Sequence, residues 1–207
     1  RIVLPESMDK RTMEAADKAL KEDIADIIII GTPEEINENS KGFDISKAKI
    51  IDPNTADITE ELINGLVEIR KNKGLTYDDA KKLLLTDYMY YACMLVKTGR
   101  ADGVVSGACH STANTLRPSL QIIKTKPGVM LVSAFFLMVV PNCEYGSNGT
   151  FVFADSGLEQ NPTPERLAAI AASSAESFKL LVEKEPLVAM LSHSTKGSAK
   201  HADVDKV

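Results

Sequence analysis

Cysteine and histidine are scarce in this chain, and neither falls into a metal-binding or cross-linking pattern. Cys93, Cys109 and Cys143 are odd in number and far apart, with no C-x-x-C pair. They argue against a disulfide framework and read as reduced thiols of a cytoplasmic protein. His110, His193 and His201 show no ligand spacing with them, so no metal site is expected. The longest apolar run, Val129 to Val140, holds 12 residues, too few to span a bilayer. No signal-peptide pattern opens the sequence. Basic residues are outnumbered, 24 against 29 acidic, and no basic run offsets the net charge of −5. That argues against a nucleic-acid surface, so an anionic ligand has to be held by local positive groups. No G-x-G-x-x-G follows the first predicted strand, which leaves a dinucleotide oxidoreductase poorly supported.

What is present is an alternation of apolar strands and amphipathic helices in 207 residues, 44% of them hydrophobic. Ile2 to Leu4 reads as a strand, and the stripe Met13, Ala16 and Leu20 as a helix over Met8 to Glu22. Ala25 to Gly31 is a buried strand, Pro33 opens a short helix, and Ala48 to Ile51 is a third strand. This βαβαβ rhythm predicts a parallel sheet covered by helices. Helices follow over Ile58 to Lys73 and Tyr77 to Lys97, the second broken near Thr86-Asp87. Asp102 to Ser106 returns to the sheet. The breaker-rich stretch Lys124-Thr-Lys-Pro-Gly128 reads as a crossover between two domains, 1–126 and 127–207. Beyond it, Val129 to Val140 and Thr150 to Ala154 are expected to form an antiparallel hairpin. A helix capped by Thr163 is expected over Pro164 to Glu183, and a last strand over Leu187 to Leu191. The chain opens in a strand without methionine and stops in a polar helix start, which suggests a fragment of a longer protein.

The chemistry concentrates in Asp102 to Pro118: a buried strand, a small-residue bend, then a helix opened by Ser111 and Thr112. Ser106, Gly107 and Ala108 would let a ligand approach the backbone closely. A helix start offers unpaired N–H groups and hydroxyl donors to an anion. Arg117, further along the helix, supplies a full positive charge. The set suits a phosphate. Pro118 conflicts with a regular helix and predicts a kink or a start near Leu116. Ser111 and Thr112 are equally good as plain helix caps. The polar stretch Ser192 to Ser198 lacks Walker glycine spacing. Cys143 has no neighbouring positive charge to favour a thiolate and is not cast as a nucleophile. His110 beside the bend reads as structural, and Asp155 as a backbone cap.

Several blocks, in order, give the chain a family likeness: Arg1-Ile-Val-Leu-Pro-Glu6, Arg70-Lys-Asn-Lys-Gly74 and Gly99-Arg-Ala-Asp-Gly-Val-Val-Ser-Gly107. Ser111-Thr112, Leu116-Arg-Pro118 and Gln121-Ile-Ile-Lys-Thr125 continue it. Asn161-Pro-Thr-Pro-Glu-Arg-Leu-Ala168 and Met190-Leu-Ser-His-Ser-Thr-Lys-Gly-Ser198 complete it. The whole chain resembles the phosphate acetyltransferase family. That resemblance implies transfer of an acetyl group between acetyl phosphate and coenzyme A. It implies no metal and no permanently bound cofactor, with coenzyme A as substrate. It also implies a three-layer α/β/α fold in two domains, like isocitrate and isopropylmalate dehydrogenases, with the active site between them.

A cytoplasmic homodimer of the full-length protein, with no membrane or nucleic-acid partner, is the corresponding expectation. Arg117 and Arg70 match family arginines linked to coenzyme A or phosphate. Ser111, Thr112, Ser106 and Gly107 fall on the family's phosphate-binding helix start and turn. Family members run on past this length, where the resemblance puts a Ser-Arg pair for the acyl phosphate and an aspartate base. The chain therefore resembles the N-terminal two-thirds of such an enzyme, truncated at the C-terminus and expected to be inactive alone. A phosphate butyryltransferase and the acyl-CoA-binding regulatory domain of a large malic enzyme remain as alternatives.

Overall fold

The computed structural model describes residues 1–207, which divide into two units, Arg1–Lys124 and Thr125–Val207. In the first, strands β1 (Ile2–Leu4), β2 (Ile27–Ile30), β3 (Lys49–Ile51) and β4 (Gly103–Val104) pair in parallel in the order β3-β2-β1-β4. Val3 lies opposite Ile28 on one side and Val104 on the other.

Successive strand residues face opposite ways, and the sheet buries both faces. Val3, Ile28, Ile30 and Ile51 enter a core with α3 (Thr59–Arg70), α4 (Tyr77–Thr86), α5 (Tyr88–Lys97) and α6 (Thr112–Ile122). Leu4, Ile27 and Ile29 enter a second core with α1 (Lys10–Lys21) and α2 (Pro33–Asn39). That is why β2 reads as four consecutive isoleucines: each pair of neighbours serves two different cores.

Helix starts follow their capping residues. Asp9, Thr32 and Thr76 accept the amides of Arg11, Glu35 and Asp79 at the starts of α1, α2 and α4. The break near Thr86-Asp87 is where the sequence places it. Asp87 ends α4 by donating its amide to Leu83, and its carboxylate accepts the amide of Met89 to start α5. Helix α6 runs unbroken from Thr112 through Pro118, so the expected start near Leu116 is not observed. Pro118 is buried, and its missing N–H costs a single hydrogen bond, to the carbonyl of Asn114.

The second unit holds an antiparallel hairpin of β5 (Phe135–Val139) and β6 (Thr150–Ala154), α7 (Pro164–Val182) packed on β6, and a short α8 (Ala202–Asp205). Thr163 caps α7 by accepting the amide of Arg166. The hairpin's first strand is shorter than the Val129–Val140 run. The expected strand at Leu187 to Leu191 does not form: those residues pair with no strand, and Leu187 is 99% exposed. An apolar stretch becomes a strand only where an edge is available to receive it. No helix is long and apolar enough to cross a membrane.

Candidate functional site at the carboxyl ends of β1 and β4

Strand β1 is followed in sequence by β2 on one side, while β4 joins it on the other. The winding reverses between β1 and β4, and ligands of open α/β sheets bind outside the strand carboxyl ends at such a point. Two segments meet there, Pro5 to Ser7 after β1 and Val105 to His110 after β4.

They meet through Glu6, which is 2% exposed. Its Oε2 accepts the amides of Gly107 and Ala108, each at 2.9 Å, and its Oε1 those of Cys109 and His110, also at 2.9 Å. The Nδ1 of His110 lies 2.7 Å from the same Oε1. Burial pushes this carboxyl up, but the bonds from the backbone of Cys109 and Ala108 and from the ring and amide of His110 outweigh it. Together they hold it far below the ordinary carboxylate range. Because Glu6 is ionised, His110 donates from Nδ1, which settles its tautomer.

The bend expected to receive a ligand on its amides thus receives a side chain of the chain itself. Gly107 sits at φ +121, a conformation that favours glycine, yet a Cβ there would meet nothing within 4 Å. Its role is to turn the backbone, so that consecutive N–H groups converge on Glu6. The hydroxyl of Ser106 is buried without a partner, as is that of Ser7. Gly31, at the end of β2, makes room for Ser7: a Cβ there would overlap the Ser7 hydroxyl.

Glu6, Cys109 and His110 could offer ligand atoms within 4.8 Å of one another to a metal ion. The chemistry opposes it, because four amide dipoles point their positive ends at the shared carboxylate and occupy its lone pairs. The Cys109 thiol is pushed up to about 11, by burial and then by its bond to Glu6, which favours the uncharged thiol.

Beyond the bend, Ser111 caps α6 by accepting the amide of Asn114 at 3.2 Å. Thr112 is the first helical residue and is exposed. Asn114, Arg117 and Gln121 follow at spacings of three and four, one stripe of the helix. Gln121 accepts the Tyr90 hydroxyl of α5 at 3.0 Å. Arg117 is exposed and Arg70, at the end of α3, is half-buried; neither forms an ion pair. Burial raises the Tyr90 hydroxyl and Asp87 adds to this, while Arg117 and Arg70 both act to lower it. Two arginines 47 positions apart in the sequence therefore bring their charge to the same phenol.

A cleft of about 370 Å³ opens beside the bend, lined by Met8, Glu35, Asp87, Tyr88, His110 and Asn114 among others. Tyr88 donates to Glu35 at 3.2 Å, and its hydroxyl is raised to about 12 by burial and then by the charge of Glu35. The structure thus gathers Ser106, Gly107, Ser111 and Thr112 around one bend and helix start. The charges of Arg117 and Arg70 both act on Tyr90. In the sequence Glu6 stands out only as part of a block shared with the family, and His110 reads as structural. The one available signal for Glu6 was a carboxylate placed directly after an apolar strand, where a sheet keeps its ligand end. In the second unit, Ser192 to Ser198 closes on itself through the amides of Ser194, Thr195 and Ala199, and presents no glycine-lined phosphate loop.

The fold and this end of the sheet define a doubly wound α/β protein with a helix start and a cleft at its switch point. The chain belongs to the phosphate acetyl/butaryl transferase family, whose family model matches residues 1–207. It is 53% identical over 207 residues to a phosphate acetyltransferase of Thermoanaerobacterium thermosaccharolyticum, covering 100% of this chain and 63% of that protein. A phosphate acetyltransferase of Acetivibrio thermocellus is 50% identical, with 100% of this chain and 62% of the relative covered. Among solved structures, a phosphotransacetylase from Streptococcus pyogenes superposes with a TM-score of 0.89 at 45% identity, over 100% of this chain and 61% of that one. The EutD phosphotransacetylase from Staphylococcus aureus gives 0.86 at 41% identity, over 99% and 60%. The chain therefore spans somewhat under two-thirds of the length of these relatives.

Proposed function

We propose that this chain is part of an enzyme that transfers an acetyl group reversibly between acetyl phosphate and coenzyme A. The observation that carries the reading is the pair of arginines without ionic partners, Arg70 at the end of α3 and Arg117 on α6, whose charges both bear on Tyr90. Guanidinium groups hold phosphate oxygens by forked, charge-assisted hydrogen bonds that lysine does not reproduce. In this reading Arg117 and Arg70 bind the phosphates of coenzyme A. Ser111, Thr112 and the first amides of α6 face the phosphate of acetyl phosphate, the group that leaves when the acetyl is transferred. Ser106 and Gly107 shape the bend, and the amide of Gly107 is not offered to the ligand because Glu6 holds it.

The reaction is attack of the coenzyme A thiolate on the acetyl carbonyl, with phosphate leaving. A thiol of pKa about 8.5 needs a base at neutral pH. No residue of this chain is assigned that task, and we place the base and the Ser-Arg pair of the family outside it. Donors at the helix start stabilise charge on the departing phosphate, and much of the rate comes from alignment. The same reading carries the domain division 1–126 and 127–207, the dehydrogenase-like two-domain fold, a cytoplasmic homodimer, and coenzyme A as substrate with no resident cofactor.

The test is the full-length gene product assayed with acetyl phosphate and coenzyme A. Turnover is expected, with acetyl phosphate preferred to butyryl phosphate, and none is expected from the 207-residue chain alone. Arg117→Lys and Arg70→Lys are each expected to raise the KM for coenzyme A about tenfold, the loss of one charge-assisted bond, with a smaller change in kcat. A full-length protein that fails to move acetyl between these two carriers would overturn the reading.

A further inference from the structure

The hydrogen bond between Glu6 and His110 commits one edge of an imidazole and leaves the other free. Nδ1 donates to a carboxylate gripped by four backbone amides, so in its neutral form the ring carries its lone pair at Nε2. Nε2 has no partner, the side chain is 19% exposed, and His110 lines the cleft with Asn114 and Asp87. The next residue, Ser111, is the cap of α6, so this edge lies beside the helix-start donors.

We propose that His110 Nε2 contacts the phosphate that leaves or enters in acetyl transfer, accepting its hydroxyl, and that Glu6 is the positioning residue that aims it. This rests on the acetyl-transfer reading above. Amides and the Ser111 and Thr112 hydroxyls can satisfy the bare oxygens of a phosphate, but a phosphate that keeps a proton also needs an acceptor. The other strong acceptors lining the cleft are carboxylates already in use. Asp87 accepts the amide of Met89 and Glu35 accepts the Tyr88 hydroxyl. Their negative charge disfavours the phosphate dianion and favours the protonated monoanion. A neutral imidazole accepts from that monoanion without repelling it. The arginines near Tyr90 and the histidine at the bend thereby divide the two anionic substrates between them.

The test uses the full-length gene product and two substitutions. His110→Asn retains a donor near the Nδ1 position for Glu6 but removes Nε2. Glu6→Gln removes the aiming charge. In the direction that consumes inorganic phosphate, His110→Asn is expected to raise the KM for phosphate at least tenfold. The KM for acetyl-CoA should stay within twofold and the thermal midpoint unchanged. Glu6→Gln should shift the KM for phosphate in the same direction and reduce the share of the Nδ1–H tautomer in the 15N spectrum of His110. Titrating inorganic phosphate into the wild type should move the Nε2 resonance. A KM for phosphate within twofold of wild type in His110→Asn, or an Nε2 resonance that stays put at saturating phosphate, overturns the inference. Absence of turnover in the wild type would instead overturn the acetyl-transfer reading, and the phosphate titration would still decide what His110 binds.

Discussion

The two units follow the same local rules and end in opposite states of burial. In the first, two cores sandwich the sheet, and Met13, Ile29, Leu62, Leu66, Leu84, Tyr91 and Met94 are essentially inaccessible. In the second, only Leu131 and Ile170 are buried among the hydrophobic residues, while Phe136, Val139, Phe153, Leu180 and Leu191 are each more than half exposed. Capping, strand pairing and helical periodicity are satisfied in both. The difference shows that hydrogen-bonded secondary structure does not bring burial with it. A lone hairpin with one helix has a single surface to cover, whereas a parallel sheet between two helical layers has two. Fully burying a leucine or phenylalanine is worth about 1.5–3 kcal/mol, so the stability of this chain resides in its first unit.

The comparison is broken most directly by truncating side chains on either side of it. Leu66→Ala, inside α3, is expected to cost about 2–5 kcal/mol, the transfer term plus the cavity left behind. Phe136→Ala, on the exposed hairpin, is expected to stay within about 0.5 kcal/mol. Urea unfolding of the 207-residue chain, with the slope compared as well as the midpoint, reads both. Equal losses would mean that the hairpin face is covered in solution and that the two units do not differ as described.

A smaller effect sharpens the comparison, because each unit contains one carboxylate gripped by backbone amides. Asp155 accepts Gly157 at 2.7 Å, Leu158 at 2.8 Å and Ala134 at 3.1 Å, as Glu6 accepts four amides in the first unit. Burial raises Asp155, the amides of Gly157, Leu158 and Ala134 lower it more, and it settles at about 2. Both groups are depressed, so each stabilises the fold above its unfolded pKa and loses that contribution as pH falls through the folded one. Glu6→Gln is expected to cost about 2–4 kcal/mol at neutral pH, since it leaves buried amides poorly paired. Asp155→Asn, in a half-buried setting, should cost about 1–2 kcal/mol. Unfolding free energies of wild type and variants against pH provide the check. The Asp155 difference should fade between about pH 3.9, the unperturbed value, and about 2, its folded value. The Glu6 difference should start to shrink near pH 4.3 and still be incomplete at pH 2. Complete loss for Glu6 by pH 3 would show that the amide clasp is weaker than its geometry.

What the sequence revealed tracks the range of the interaction. The caps Ser111 and Thr163, the break at Asp87 and the strand-helix alternation depend on neighbours within a few residues, and all are present. Leu187 to Leu191 was misread because strand formation needs a partner edge that a local pattern does not report. Glu6 was invisible for a related reason: its partners lie 101 to 104 positions away. The bend looked open because small residues and free amides can be read locally, whereas the group that fills them cannot. Arg117 was legible as a charge on the helix behind the bend and Arg70 through family likeness alone, and their shared effect on Tyr90 emerges only when α3, α5 and α6 are packed together.

The finest distinction between the units lies in their helix caps, which are chemically alike. Ser111 accepts the amide of Asn114 and Thr163 that of Arg166, so replacing either by alanine removes the same bond, worth about 1 kcal/mol. The consequence should differ because α6 is anchored by buried Pro118 and Ile122, whereas α7 buries only Ile170. Native-state hydrogen exchange separates the two cases. In Thr163→Ala the amides along α7 should all exchange about fivefold faster, the factor for about 1 kcal/mol, because the helix opens as a weakly held unit. In Ser111→Ala the acceleration should be confined to the first turn near Asn114, with Ile122 following the opening of the first core. Uniform acceleration along α6 would place that helix, and the phosphate-facing residues at its start, in the low-stability class now reserved for the second unit.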